Sequence, residues 1–278
     1  IRLSADLTQD QWVEDISLDA GGPHNYDAVT TRDGTAFWWL SAQRGTKQLH
    51  IGKRRSDASE LIAPVVVSQA DAFVSARFAR RPDDSLAVVW DECPTGYSGQ
   101  CLDHLVRMRL FDAAGVPLTG VLPLATSDDG QQTGPGVAAF GDGAIVTVHA
   151  DARDGGIRSD IVATLWEPAE AGEGEAPIAR SKEIVVNALR FGDQGKPTVT
   201  VLDSDDFVVA WVGDDGAVWT RRFDRQGTHF PGRLERPANQ TIVGKQIEPA
   251  AAASKGNVMV AYSSSLFAGG DAEILGRV

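Results

Sequence analysis

The sequence predicts an all-β protein: a five-bladed β-propeller with four antiparallel strands per blade, closed by strand exchange between the termini. Three observations carry that prediction. A polar turn followed by a β-branched and aromatic run occurs five times. The recurrences are spaced by 51, 59, 62 and 51 residues. The path from the last run through both termini back to the first is 55 residues, which keeps the same period. Periods of about 50 residues with four strands per unit belong to propellers.

The recurring middle strand is read from "RDGTAFWW", "PDDSLAVVW", "GDGAIVTVH", "SDDFVVAW" and "SKGNVMVAY", whose anchors are Trp39, Trp90, His149, Trp211 and Tyr262. Asp, Gly, Asn and Ser ahead of a β-branched run are a hairpin signal. Before each hairpin lies a small-residue run, "DAVTT", "FVSARF", "GVAAF", "TVTVL" or "AAAAS". Small side chains suit an innermost strand, where sheets converge. After each hairpin comes a strand in which apolar residues alternate with polar ones, often Arg, as in "HLVRMRLFDAAG" and "AVWTRRFDRQG". That alternation marks one packed side and one wet side. Fourth strands are expected at "APVVVSQ", "VLPLATS", "EIVVNAL" and "QTIVGK". The fifth unit lacks one, and "QWVEDISLD" at 11–19 is unclaimed, so the blades are expected at 20–69, 70–130, 131–190, 191–245 and 246–278, the last closed by 1–19. The only stretch of helical composition, 167–183, is broken by Gly and Pro and reads as a loop.

A chain that is 42% hydrophobic with 29 glycines and 13 prolines suits a turn-rich globular protein and excludes a largely disordered one. A net charge of −12 repels phosphates and argues against a nucleic-acid partner. The one basic run, "GKRRSD" at 52–57, reads as a solvated strand edge. No apolar run approaches the roughly 18–20 residues that span a bilayer, so no membrane insertion is expected. A start at Ile1 suggests a mature or trimmed chain. Cys93 and Cys101 are expected to form a disulfide within a Pro-, Gly- and Ser-rich loop, which points to an extracellular, periplasmic or cell-surface protein.

Asp-Gly, then V-V-x-W, then R-x-F-D-x-x-G resembles the repeats of exported bacterial propeller-like proteins, many of unassigned function. The resemblance covers most of the chain. Unit 3 departs from it, with His149 at the aromatic position and Trp166-Glu167 in place of Phe-Asp. Such repeats imply a scaffold rather than a reaction.

The loops between second and third strands vary most, and function is expected on their face. At the inner-strand entrances, His24, Gln69, Gln132, Gln194 and Gln246 align. They read either as clamps between blades or as a ligand-binding ring, since an amide both donates and accepts. Tyr97 and Phe267 are exposed-loop aromatics suited to anchoring a ligand. Asp27, Asp71 and Glu248 come from contiguous units and could supply the two carboxyl groups of a glycosidase. His149 with Asp151 and Asp154 could hold a metal, but a buried hydrogen-bonded His is the simpler reading. The Asp-rich turns lack a full calcium ligand set, no sialidase Asp-box is complete, and no metal or cofactor is expected.

These features lead to a first expectation of a non-catalytic exported propeller that displays loops to bind a protein or carbohydrate, and so of a protein that is not an enzyme. The alternatives are a glycoside-active enzyme using the acidic cluster and a structural domain of a larger extracellular protein.

Overall fold

Turn chemistry sets the hairpins. In the computed structural model, Asp33, Asp83 and Asp142 each accept a hydrogen bond from the backbone N–H two residues on, at 3.1, 3.1 and 2.9 Å. The following residue, Gly34, Asp84 or Gly143, takes a positive φ of 69, 64 or 89°. These Asx turns launch the middle strands. The structure describes residues 24–43, 47–57, 59–93, 104–128, 130–152, 158–169, 178–189, 191–230, 235–238, 245–265 and 273–277.

The described strands form five antiparallel sheets in chain order. Sheet 1 holds β1 (His24–Thr30), β2 (Ala36–Gln43), β3 (Gln48–Arg55) and β4 (Glu60–Gln69). Sheet 2 holds β5 (Ala72–Arg80), β6 (Leu86–Cys93), β7 (Leu105–Phe111) and β8 (Leu122–Pro123). Sheet 3 holds β9 (Gln132–Ala139), β10 (Ile145–Asp151), β11 (Asp160–Pro168) and β12 (Ile178–Val185). Sheet 4 holds β13 (Gly195–Val201), β14 (Phe207–Val212), β15 (Val218–Phe223) and β16 (Arg236–Pro237). Sheet 5 has three described strands, β17 (Lys245–Ser254), β18 (Asn257–Ser265) and β19 (Glu273–Arg277).

Within each sheet the chain moves outward strand by strand, and the innermost strands β1, β5, β9, β13 and β17 abut in that order. Four apolar clusters fill the seams between successive sheets. The anchor side chains face the preceding sheet: Trp90 packs with Leu40 and Ile51, Trp211 with Val146 and Val148, and Tyr262 with Ala210 and Val218. Among the described residues no such cluster joins sheet 5 to sheet 1.

The R-x-F-D-x-x-G repeat has a physical explanation. Arg109 lies over the Phe111 ring, 5.5 Å from its centroid, and donates to the Val67 carbonyl of sheet 1 at 3.0 Å. Arg221 lies over Phe223 at 5.4 Å and donates to the Val186 carbonyl of sheet 3 at 2.6 Å. The repeat therefore couples an aromatic platform to a cross-sheet hydrogen bond. The following Asp seeds the exit turn: Asp112 accepts from Ala114 and Val116, Asp224 accepts from Thr228, and Gly115 and Gly227 take φ of 81 and 71°. Sheet 3, which departs from the repeat, substitutes an arginine from another strand. Arg180 of β12 stacks on Trp166 at 5.0 Å and donates to the Pro123, Leu124 and Ala125 carbonyls of sheet 2.

Three expectations are corrected. The fourth strand of sheet 4 is Arg236–Pro237 rather than "QTIVGK", of which 240–244 lie outside the described residues and Lys245 opens β17. The segment 167–183 is not all loop: its start belongs to β11 and Ile178 onward to β12, because alternating side chains there pack against sheet 2. Gln69 ends β4, paired with Gln48, so it is not at an inner-strand entrance. The candidate closing strand at 11–19 lies outside the described residues.

Candidate functional site

Every innermost strand carries a bulge near its entrance, before the first long run of pairing with the middle strand. A bulge bends the strand and re-aims side chains. In sheets 3, 4 and 5 the bulge is built on a left-handed residue before a proline: Gly134 (φ 63°), Lys196 (φ 50°) and Glu248 (φ 57°), followed by Pro135, Pro197 and Pro249. These positions adjoin one another. A Cβ on Gly134 would meet Pro197 Cδ at 3.5 Å and Lys196 Cα at 3.7 Å. Lys196 Nζ lies 3.7 Å from Glu248 Oε1, with both side chains largely exposed.

Two residues upstream, three of the predicted glutamines are buried. Gln132 accepts from Val106 N at 3.3 Å and donates to the Ser127 carbonyl at 2.5 Å, both in the segment of sheet 2. Gln194 accepts from Trp211 Nε1 at 2.9 Å and donates to the Phe191 carbonyl at 3.0 Å. Gln246 donates to Ser264 Oγ at 3.5 Å. These amides are committed to protein partners. His24 opens β1, and Gln69 is exposed on sheet 1. Tyr97, Phe267 and Cys101 lie outside the described residues, while Cys93 is buried at the end of β6.

The three candidate carboxylates differ in setting. Asp27 follows the β1 bulge, and its Oδ2 accepts from Phe78 N of β5 at 3.1 Å while Oδ1 accepts from Ala28 N at 2.9 Å. An innermost strand has a sheet partner on one edge only, so Phe78 needs an acceptor from a neighbour. Burial raises the Asp27 carboxyl above the usual aspartate range, against the lowering pull of these N–H donors and of Arg77. Asp71 sits between β4 and β5 and pairs with Lys47 Nζ at 2.5 Å. Glu248 faces solvent beside Lys196.

Asp91 was not among the residues the sequence suggested. It is buried, its Oδ1 accepts from Val74 N and Ser75 N, and its Oδ2 accepts from Ser75 Oγ and from Gly134 N of sheet 3. One carboxylate thus satisfies the β5 bulge and ties it to the next sheet. Its signal is an acidic residue at the end of an otherwise apolar strand, "LAVVWDEC". His149 is fully buried, with Nε2 3.4 Å from Asp151 Oδ2. Asp154 lies outside the described residues, and among the described ones no three His, Cys, Asp or Glu side chains group as a metal site would require.

A cavity of about 500 Å³ lies on the opposite face, between sheets 3 and 4, lined by Asp142, Glu167, Lys182 and Arg225. Arg225 lies over Phe140, 4.2 Å from its centroid, and is engaged by Glu167 at 2.7 Å and Asp142 at 2.9 Å. Those carboxylates raise its pKa. Its charge serves the seam rather than a ligand.

No protein-family model matches the chain, and no curated protein matches it. Solved structures do. An α-L-arabinofuranosidase from Fusarium graminearum shares 11% identity over 86% of this chain and 74% of its own, with a TM-score of 0.57. An ulvan lyase of a polysaccharide lyase family shares 14% identity over 91% of this chain and 63% of its own, also at 0.57. An intramolecular trans-sialidase from Ruminococcus gnavus matches at 14% identity and a TM-score of 0.47, and the chain spans 38% of its length. The likeness to the first two establishes a propeller-type all-β fold. The repeat motifs themselves are not established as a family signature. The expectation of a non-catalytic propeller is corrected by the first two matches, which are carbohydrate-active enzymes rather than binding scaffolds. No helix among the described residues is long and apolar enough to cross a membrane.

Proposed function

We propose that the protein is a glycoside-active enzyme whose site lies at the mouth formed by the inner-strand entrances. The observation that carries this reading is Asp27, a carboxyl group at such an entrance held toward its protonated form by burial, within a fold shared with enzymes that act on sugars. Glycoside cleavage needs a carboxyl group that can give a proton to the leaving oxygen and a second carboxylate as base or nucleophile. Asp27 takes the first role; Asp71 stands too far along extended β5 from Phe78, whose N–H Asp27 accepts, to take the second. Binding by the chain is then binding of a carbohydrate substrate, and an extracellular or periplasmic setting suits a polymeric one.

The same reading includes a five-bladed ring closed by residues 11–19. It is supported by sheet 5, which has one described strand fewer than the others, and by Trp39 Nε1 and Arg54 Nε, which are buried without a hydrogen-bond acceptor among the described residues. Arg54 pairs with Phe37 as Arg109 pairs with Val88 and Arg221 with Val209, on the arginine-bearing third strand of its sheet. A closing strand would bring it the carbonyl that Arg109 and Arg221 already have.

The test of the catalytic assignment is the dependence on leaving group. Asp27→Asn is expected to lose activity on an unactivated oligosaccharide by roughly a hundredfold or more while retaining most of it on an aryl glycoside with an acidic phenol, which departs without a proton. Equal losses on both substrates would remove Asp27 from the acid role.

A further inference from the structure

We infer that Lys196 and Glu248 form a subsite at the inner-strand entrances that reads the hydroxyl groups of a neutral sugar. The inference rests on the glycoside-active reading for the class of ligand, and on the backbone for its position. The left-handed region is costly for a residue with a Cβ, and glycine is its ordinary occupant. Sheet 3 places glycine there, as Gly134. Sheets 4 and 5 place Lys196 and Glu248 in the same conformation ahead of proline.

Packing does not explain the choice. Both side chains are largely exposed, at 53% and 72%, and their mutual contact of 3.7 Å is longer than a hydrogen bond. An exposed ion pair at that distance contributes little to stability. Backbone strain held where no packing offsets it directs attention to function. The geometry also limits the ligand. The ammonium offers three donors and the carboxylate only acceptors, side by side on adjoining sheets. Adjacent sugar hydroxyls, each able to donate and accept, match that pair. The two charges cancel, so an anionic sugar gains no net attraction.

Affinity electrophoresis of the full chain through gels containing arabinan, galactomannan or polygalacturonate tests this, run beside thermal melting of Lys196→Gly and Glu248→Gly. Wild type should be retarded by at least one neutral polymer. Each variant should lose that retardation by about tenfold in affinity while melting at the same temperature or roughly 2 °C higher, because strain is relieved. Unchanged retardation in the variants, melting lowered in both, retardation by polygalacturonate alone, or no retardation of wild type by any polymer would each overturn the inference. Retardation that depends on Lys196 without any cleavage would leave the subsite standing and count against the catalytic reading instead.

Discussion

Arg109 Nη1 donates a 3.0 Å hydrogen bond to the backbone carbonyl of Val67, across the seam between the first two sheets. The same side chain covers Phe111 and donates through Nε to the Thr119 carbonyl at 3.1 Å. A repeat residue thereby fixes both the outer turn of its own sheet and the spacing to the one before.

Replacing Arg109 by Ala should destabilise the protein by about 2 kcal/mol, since charge-assisted hydrogen bonds are lost and a buried carbonyl is left without its donor. Arg221→Ala should cost a similar amount through Val186. Arg180→Ala should do the same in sheet 3, although that residue lies outside the repeat. Urea unfolding reads all three. Lysine should rescue poorly, because it cannot keep both the fork and the stacking.

Acid should weaken the first hairpin in a defined window. Asp33 is lowered from 3.8 to about 2, first by the Thr31 hydroxyl and then by the N–H and hydroxyl of Thr35. A depressed carboxyl contributes stability that is present above pH 3.8 and lost as pH falls toward 2. Asp27 has the opposite sign: its raised carboxyl binds its proton more tightly when folded, so its contribution falls as pH rises from 3.8 through its folded value. Melting curves of Asp33→Ala should therefore flatten between pH 4 and 2, and those of Asp27→Asn should flatten above pH 4.

Removal of residues 1–19 should lower the melting temperature and abolish the effect of Arg54→Ala, because both changes act on the same seam. In a double-mutant cycle the two should be strongly non-additive. Additive effects would argue against closure by that segment.

Oxidised protein should show no thiol to alkylating reagent under denaturing conditions, and two after reduction, as the pairing of Cys93 with Cys101 requires. Reduction should cost roughly 2–3 kcal/mol at most, as expected for so short a loop.

The repeat grammar was legible because each of its letters has a local job. Asp112 and Gly115 make a turn, and Arg109 and Phe111 make a stack, with the chain neighbours supplying the partners. Trp90, Trp211 and Tyr262 could be aligned because side-chain direction alternates along a strand. What depends on distant partners was not legible. Gln69 resembles Gln132 in sequence, yet strand pairing assigns it to β4, since "SQA" can end one strand as readily as begin the next. Arg180 takes over a task from Thr164's position in a way that only the packed seam reveals. The left-handed conformations of Lys196 and Glu248 had no signal beyond the following proline, which ordinarily favours an extended residue before it. Asp91 was overlooked because its four donors come from two sheets.

The central claim is that carboxyl groups at the inner-strand entrances cleave glycosidic bonds. Incubating the wild-type chain with a panel of neutral polysaccharides and measuring newly formed chain ends tests it most directly, with Asp27→Asn, its folding checked by circular dichroism, as the control. The account predicts new ends from at least one polymer with wild type and a loss of about a hundredfold or more in Asp27→Asn. No new ends from any polymer, or equal release by wild type and Asp27→Asn, would contradict it.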